Sequence, residues 1–367
     1  MGRLGLSGIV LAAGYSSRMG ACKALLQIDG ASLLERTVRL FRQTGVERIV
    51  VVTGARPEIR PLAETLNVTV VENPHFDSGM FSSVQTGIAE ILKHPSATYI
   101  LPVDIPLLRK KTLLSLQEHP LPAFSARIPT FGGRPGHPPL LGAEMLERVI
   151  SWNEDGGLRG FLEAHGDSVS FVAVPDQGIL IDADTPTHLE RCRRLAETRE
   201  QLPSKFECSA LLDLAGTPRN VRRHCRLVAR VAHELGRILE KNEPIDLHLL
   251  DRAARLHDIK KRSPDHAHSG AVFLRSFGFD GLAAVVAHHQ DPSGTSVEEE
   301  VLSLADKLVR GDVVVSLDQR AQSLSQRFSD SKAIEAGQRR LSVARNTLDR
   351  IRSIAHLHGD TFSFDLS

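Results

Sequence analysis

From Ser7 to about Glu190 the chain alternates short runs of β-branched residues with helix-length amphipathic stretches, and beyond that point strand signals almost vanish. Alternation of this kind produces parallel strands joined by crossover helices, whereas a strand-free continuation packs helix on helix. The expected strands are Gly8–Ala13, Arg48–Val52, Val68–Glu72, Thr98–Val103 and Val169–Val174. Between and after them, Ser32–Thr44, Pro57–Leu66, Ser82–Lys93, Lys111–Glu118 and Pro186–Thr198 read as helices, several opening after Ser, Thr or Pro. A chain of 367 residues exceeds what one core usually supports. The expectation is therefore an α/β, doubly wound, mostly parallel domain over 1–198 and an all-α domain over 208–358. The linker is expected over 199–207, where periodicity gives way to mixed charge and a proline, and 359–367 reads as a loose tail. Helices expected in the second half include Asn220–Lys241, His248–Leu256, Ser269–Phe277 and Ser296–Val309.

Forty-five Lys and Arg against 44 Asp and Glu leave no overall electrostatic footprint for nucleic acid and no polybasic segment for an anionic membrane. Small ligands are favoured. Cys22, Cys192, Cys208 and Cys225 lack metal-ligand or disulfide-framework spacing and read as reduced, structural thiols. The N-terminus carries no basic segment leading into a cleavable apolar one, and no stretch is long and apolar enough to span a bilayer, so the expectation is a soluble, cytoplasmic protein.

Directly after the first strand runs LAAGYSSRMGACK, Leu11 to Lys23. Small residues at Ala12, Ala13, Gly14, Ser16 and Ser17 let backbone N–H groups approach phosphate oxygens, and Arg18 and Lys23 can neutralise a triphosphate. The segment resembles the LAAGxSxRMGxxK signature of the molybdopterin-dinucleotide (MobA-like) nucleotidyltransferase family. Four further segments follow in that family's order: NPHFDSGMFSSVQT at Asn73–Thr86, LPVDIPL at Leu101–Leu107, GGRPGHP at Gly132–Pro138 and DADTP at Asp182–Pro186. The resemblance covers nearly all of the first domain and implies a Rossmann-like fold. It further implies attack by a substrate phosphate on the α-phosphorus of a nucleoside triphosphate, with release of pyrophosphate.

Asp104, at the carboxyl end of a strand where open α/β sheets place ligands, is expected to bind Mg²⁺. Its partner carboxylate is expected to be Asp182, with Asp184 second, Asp184 reading more readily as a helix cap. Lys23, Arg18 and Asp104 would carry the transfer. The remaining nucleotide and acceptor contacts would come from Leu11 to Ser17 and from Asn73, Ser78, Gly79, Met80, Ser82, Ser83 and His137. Ser82 and Ser83 read equally as helix caps, and His137 as a surface histidine in a turn. Guanylyl-transferring relatives carry glycine where Ala13 stands, so CTP is the expected co-substrate and a molybdopterin-type molecule the acceptor. A sugar or polyol phosphate is the alternative acceptor, and a molybdenum hydroxylase apo-enzyme a further candidate partner.

The second half contains His224, His257–Asp258, His266, His268, His288–His289 and Asp306, ligand types suited to divalent transition metals recurring on successive expected helices. The order resembles the HD phosphohydrolase superfamily. LHDIKK at Leu256–Lys261 is similar to its LHDIGK hallmark with Lys260 in place of glycine, and ADKL at Ala305–Leu308 to its late aspartate motif. The resemblance implies one metal on His224, His257, Asp258 and Asp306. A second would use His266, preferred to His268 by the HxxxGA spacing, with either His288 or His289. Fe²⁺ or Mn²⁺ suits such a set better than Mg²⁺, and Asp258 joins the catalytic candidates. His233 and His248 read as surface or satisfied histidines, and Lys261 and Arg262 as a solvated face, with binding of a substrate phosphate by either as the alternative. An HD half that senses nucleotides without turnover is the alternative.

Overall fold

The computed structural model describes residues 5–199, 201–327 and 331–355. Its contacts divide the chain between Glu200 and Gln201 into two compact units.

The first unit is built on an eight-stranded sheet. Its order across the sheet is Val169–Ala173, Ala126–Phe131, Leu140–Leu141, Ala97–Pro102, Leu6–Leu11, Val46–Thr53 and Thr69–Glu72, with Arg134–Pro135 paired to Ala126–Phe131. The central strands are buried on both faces: Ile9, Val10, Val50, Val51, Val52 and Leu101 are inaccessible to solvent, which is why their sequences run apolar without alternation. Leu6–Leu11 pairs in parallel with both Val46–Thr53 and Ala97–Pro102. Strand order reverses between Leu6–Leu11 and Ala97–Pro102, so the loops leaving their carboxyl ends flank the topological switch point where doubly wound sheets bind ligands. Helix Met80–Ile91 lies directly on the sheet because Gly87 carries no side chain; a Cβ there would stand 2.6 Å from Ile9 Cγ2.

All five expected strands form. Not anticipated were Ala126–Phe131, Arg134–Pro135 and the antiparallel Leu140–Leu141 wedged between parallel partners. Pro129, Pro135, Pro138 and Pro139 break the apolar run there, and prolines argue against strand when read locally. Helices Ala143–Ile150 and Gly157–Ala164 also went unread. Ser32 caps helix Leu33–Gln43 through a capping box with Glu35, as its sequence suggests.

The linker is shorter than expected. Arg199 ends helix Pro186–Arg199 and buries its guanidinium in the first unit, donating to Leu107 O at 3.0 Å and pairing with Asp176. Helix Lys205–Leu214 already begins after Ser204, whose hydroxyl and the Glu207 carboxylate form a second capping box. A buried arginine is indistinguishable from a linker charge in sequence.

The second unit is helical: Lys205–Leu214, Arg219–Leu239, Leu247–Leu256, His266–Ser276, Asp280–Ala287, Val297–Lys307, Leu317–Arg327 and Ser331–Ala355 surround one apolar core. Its only strands among the described residues are the two-residue pair Val309–Arg310 and Val313–Val314. The expected domain end at 358 and the tail 359–367 lie outside the described residues.

Candidate functional site

The loop after Leu6–Leu11 opens a cleft of about 410 Å³, lined by Leu11, Ala12, Ala13, Gly14, Ser16, Arg18 and Lys23 from one side and by Gly79, Met80, Ser83, Asp104, His137, Asp182 and Asp184 from the other. Ser16 adopts a left-handed φ of 56° and its Oγ accepts from Lys23 N at 3.2 Å, folding the loop back on the start of its helical turn. The Lys23 side chain, 14% exposed, then crosses the cleft. Its Nζ lies 2.9 Å from Asp104 Oδ2 and bonds Asp184 Oδ1 as well. Burial opposes its charge, yet the two carboxylates win and raise its pKa. Asp184 in turn is held below the usual carboxylate range by Lys23, and it also takes Arg18 Nη2 at 2.8 Å. Arg18 is 70% exposed and free to turn toward a ligand.

Asp182, the expected partner of Asp104, accepts instead from His188 Nδ1 at 2.8 Å in a contact open to solvent. The carboxylate facing Asp104 across Lys23 is Asp184. Its alternative role as helix cap is also displaced, because Thr185 Oγ1 accepts from His188 N at the start of that helix.

Four other expected contacts do not line the cleft. Ser17 and Ser78 are exposed outside it. Asn73 is fully buried, its side-chain amide donating to Ser82 Oγ at 2.8 Å and Ser83 Oγ at 3.0 Å while its Oδ1 accepts from His75 N. Ser82 passes its own hydroxyl to backbone oxygens of His75 or Gly79. Asn73 and Ser82 therefore shape the Asn73–Ser83 turn rather than face a ligand. Neither serine caps the helix; it starts at Met80 behind Gly79, whose φ of 96° favours glycine. His137 is half-buried in the cleft wall, burial lowering its pKa against the pull of Asp104, and its buried Nδ1 has no protein partner. A second, larger cleft of about 950 Å³ adjoins the first, sharing Leu11, Met80, Pro102, Ile105, His137 and Asp182.

In the second unit, His224, His257 and Asp306 form one potential metal-binding group and His257, Asp258 and His289 another, with all ligand atoms in each within 4.8 Å of one another. The rings are aimed by their backbones. His257 Nδ1 lies 2.9 Å from Ala254 O, His289 Nδ1 2.7 Å from Val286 O and His224 Nδ1 3.1 Å from Gly311 O, so each Nδ1 carries the hydrogen and each Nε2 points inward. The small strand pair supplies that Gly311 carbonyl. His257 Nε2 is buried without a hydrogen-bond partner, 3.5 Å from carboxylate oxygens of both Asp258 and Asp306. Burial drops the His289 pKa to about 3, keeping its ring a neutral donor. Burial alone would raise Asp306, but the hydrogen bond from His224 and the imidazole of His257 close by hold it well below the usual range.

His266 Nε2 stands 3.2 Å from Asp258 Oδ1, adjoining the second group as the HxxxGA spacing implies. His288, offered beside His289, is exposed at the end of helix Asp280–Ala287 and joins neither group. Lys261, read first as a solvated face and otherwise as a phosphate contact, pairs with Asp258 at 2.9 Å, and Gln290, which the sequence reading did not name, places Nε2 3.0 Å from His266 Nε2. Lys260, in place of the hallmark glycine, needs no left-handed backbone and lays its ammonium 4.2 Å from the Phe273 ring centroid.

Comparison with known proteins assigns a family to each unit. The MobA-like NTP transferase domain matches residues 8–169 and the HD domain residues 221–311. The chain is 31% identical over 183 residues to the molybdenum cofactor cytidylyltransferase of Escherichia coli K12, covering 48% of this chain and 90% of that one. It is 38% identical over 125 residues to the molybdenum cofactor guanylyltransferase of Xanthomonas euvesicatoria, covering 33% and 60% respectively. Among solved structures, a nucleotidyl transferase from Methanothermobacter thermautotroptrophicus aligns over 53% of this chain and 97% of that one at 25% identity, with a TM-score of 0.47. The chain is a nucleotidyltransferase of the MobA-like NTP transferase family, followed in the same polypeptide by an HD domain.

Proposed function

We propose that the first unit transfers CMP from CTP to a molybdopterin-type phosphate acceptor, and that the second is a metal-dependent phosphohydrolase. The observation carrying the first reading is the Lys23 ammonium held between Asp104 and Asp184 at the switch point of the sheet. Asp104 and Asp184 are hard oxygen donors of the kind Mg²⁺ takes, and they would hold it. Bound there, Mg²⁺ supplies neutralisation of the triphosphate and fixes it for in-line displacement. Lys23 is then released from the carboxylates toward phosphate oxygens, and Arg18 closes on the same charge from the rim. An oxygen of the acceptor phosphate forms the new bond to the α-phosphorus as the α–β bridging bond breaks, and pyrophosphate leaves with that electron pair. Small residues at Ala13 and Gly14 would admit the phosphates to backbone N–H groups, the Ala12 N–H being taken by Val52 O at 2.9 Å. His137 and the adjoining cleft face the acceptor side.

The cytidylyl reading draws support from Ala13 and from the cytidylyltransferase relative, nearly all of which the chain covers. Purified protein given CTP or GTP, with and without molybdopterin, should release pyrophosphate only with CTP and the pterin. GTP preference sinks the base assignment, and equal release with a sugar or polyol phosphate sinks the acceptor.

For the second unit the supporting observation is the buried, unpartnered His257 Nε2 among two carboxylates and inward-facing imidazoles, a donor set suited to Fe²⁺ or Mn²⁺. His224, His257, Asp258 and Asp306 would hold one ion, and Asp258, His266 and His289 a second. When bound, they activate water and neutralise a phosphate ester. Lys261 stands ready to meet a substrate phosphate beside Asp258. A metal-loaded protein that hydrolyses nothing in a nucleotide and phosphate-ester panel would establish the sensor alternative.

A further inference from the structure

The near-neutral charge of the chain conceals one concentrated basic surface. Helix Arg219–Leu239 buries Val228, Val231, Ala232, Leu235 and Leu239 in the core of the second unit and leaves Arg219, Arg223, Arg226, Arg230 and Arg237 exposed. At 3.6 residues per turn those five arginines fall within a sector of about 60°, opposite Val228, and run along roughly 27 Å of helix. Arg222, elsewhere on the circumference, is put to structural use, donating to Thr217 O at 2.7 Å and Leu212 O at 2.9 Å and pairing with Asp213. The stripe is not so used. Among the described residues Arg219, Arg226, Arg230 and Arg237 form no ion pair, and Arg223 reaches Asp312 only at 3.9 Å with both side chains mostly exposed.

Five like charges in one sector repel one another and do nothing for the helix. They match a partner carrying closely spaced negative charge. Every cation in the sector is a guanidinium, whose planar fork takes phosphate oxygens two at a time. The residues that border the stripe on either side, His233 and Glu234, are polar, and the next apolar ones, Leu227 and Ile238, are partly buried against the core. A protein partner would call for an apolar centre inside a polar rim, and a membrane surface for apolar side chains that insert; the stripe offers neither. It also lacks aromatic side chains for stacking bases, so contact would be to the backbone alone.

We propose that helix Arg219–Leu239 binds the phosphate backbone of a nucleic acid without sequence preference, through these five arginines. The inference is independent of what either cleft turns over. It is tested by fluorescence anisotropy of the full chain with a labelled random-sequence 20-mer, single-stranded and duplex, across a salt series. Five phosphate contacts should weaken binding roughly 130- to 500-fold between 50 and 200 mM salt, from a slope of about −0.7 to −0.9 per contact. The variant Arg219→Gln/Arg223→Gln/Arg226→Gln/Arg230→Gln should lose this binding while keeping its melting temperature and pyrophosphate release. If it melts early, Arg226→Gln/Arg230→Gln serves instead, with the salt slope reduced by about two contacts. The proposal is overturned by no binding at 50 mM salt, by binding indifferent to salt, or by binding that the variants retain. Preference for phosphatidylserine vesicles or polyglutamate over the oligonucleotide overturns it too, assigning the stripe to a membrane or an acidic protein.

Discussion

Substituting Asp184 by Asn, beside the matched Asp182→Asn, separates two acidic positions that the DADTP segment leaves equivalent. Asp184 is 21% exposed, takes Lys23 and Arg18, and shares the Lys23 ammonium with Asp104. The Asp182 carboxylate is 42% exposed and among the described residues meets only His188, itself half exposed. Losing a preorganised charge contact at developing phosphate charge costs about 2.7–4 kcal/mol of transition-state stabilisation, a fall of roughly 100- to 1,000-fold in kcat/KM. Losing an exposed ion pair costs about 0–1 kcal/mol, or less than about fivefold. Asp184→Asn should therefore lie at least tenfold below Asp182→Asn when pyrophosphate release is followed with CTP and acceptor at saturating Mg²⁺. Part of its deficit should appear as a raised Mg²⁺ requirement, since one of two carboxylate ligands is gone. Asp184→Asn within about threefold of wild type, or Asp182→Asn as damaging, would refute the assignment of Asp184 over Asp182.

The pH dependence of stability follows from the same trio. The lowered Asp184 pKa contributes stability above its unfolded value near 3.9, lost as pH falls through the folded value; the raised Lys23 pKa contributes fully below about 10.4, lost as pH rises through the folded value. Lys23→Met should flatten the melting-temperature profile at both extremes, and an unchanged profile contradicts the geometry. In the second unit His289→Ala should lower bound transition metal by elemental analysis while His288→Ala leaves it unchanged; equal content in both shows that His289 is not a ligand. Arg199→Met removes the cationic partner of the fully buried Asp176, leaving it the neutral donors Arg109 N, Thr112 Oγ1 and Gly178 N, and should destabilise the first unit by about 3 kcal/mol in urea unfolding; a loss below about 1 kcal/mol contradicts the buried pair.

What sequence made legible, and what it did not, divides along one physical line. Runs of apolar residues and ordered motifs gave the parallel sheet, the triphosphate loop and the helical histidine set, because each is fixed by local periodicity and short-range spacing. The errors are questions of which way a side chain faces. Asp182 and Asp184 stand two residues apart in a segment that is neither helix nor strand, so no periodicity tells which one turns into the cleft. For His288 and His289 the signal was present and unused. Leu282, Val285 and Val286 are on the buried face of helix Asp280–Ala287, and at about 100° per residue His289 falls between Val285 and Leu282, inside that face, whereas His288 falls about 60° beyond Val285. The same arithmetic, applied to charge rather than apolarity, separates Arg222 from the arginine stripe on its own helix. Total charge averages over that stripe, so composition by itself speaks only to a surface on which the charges are evenly mixed. Charge has to be counted by face, as hydrophobicity already is.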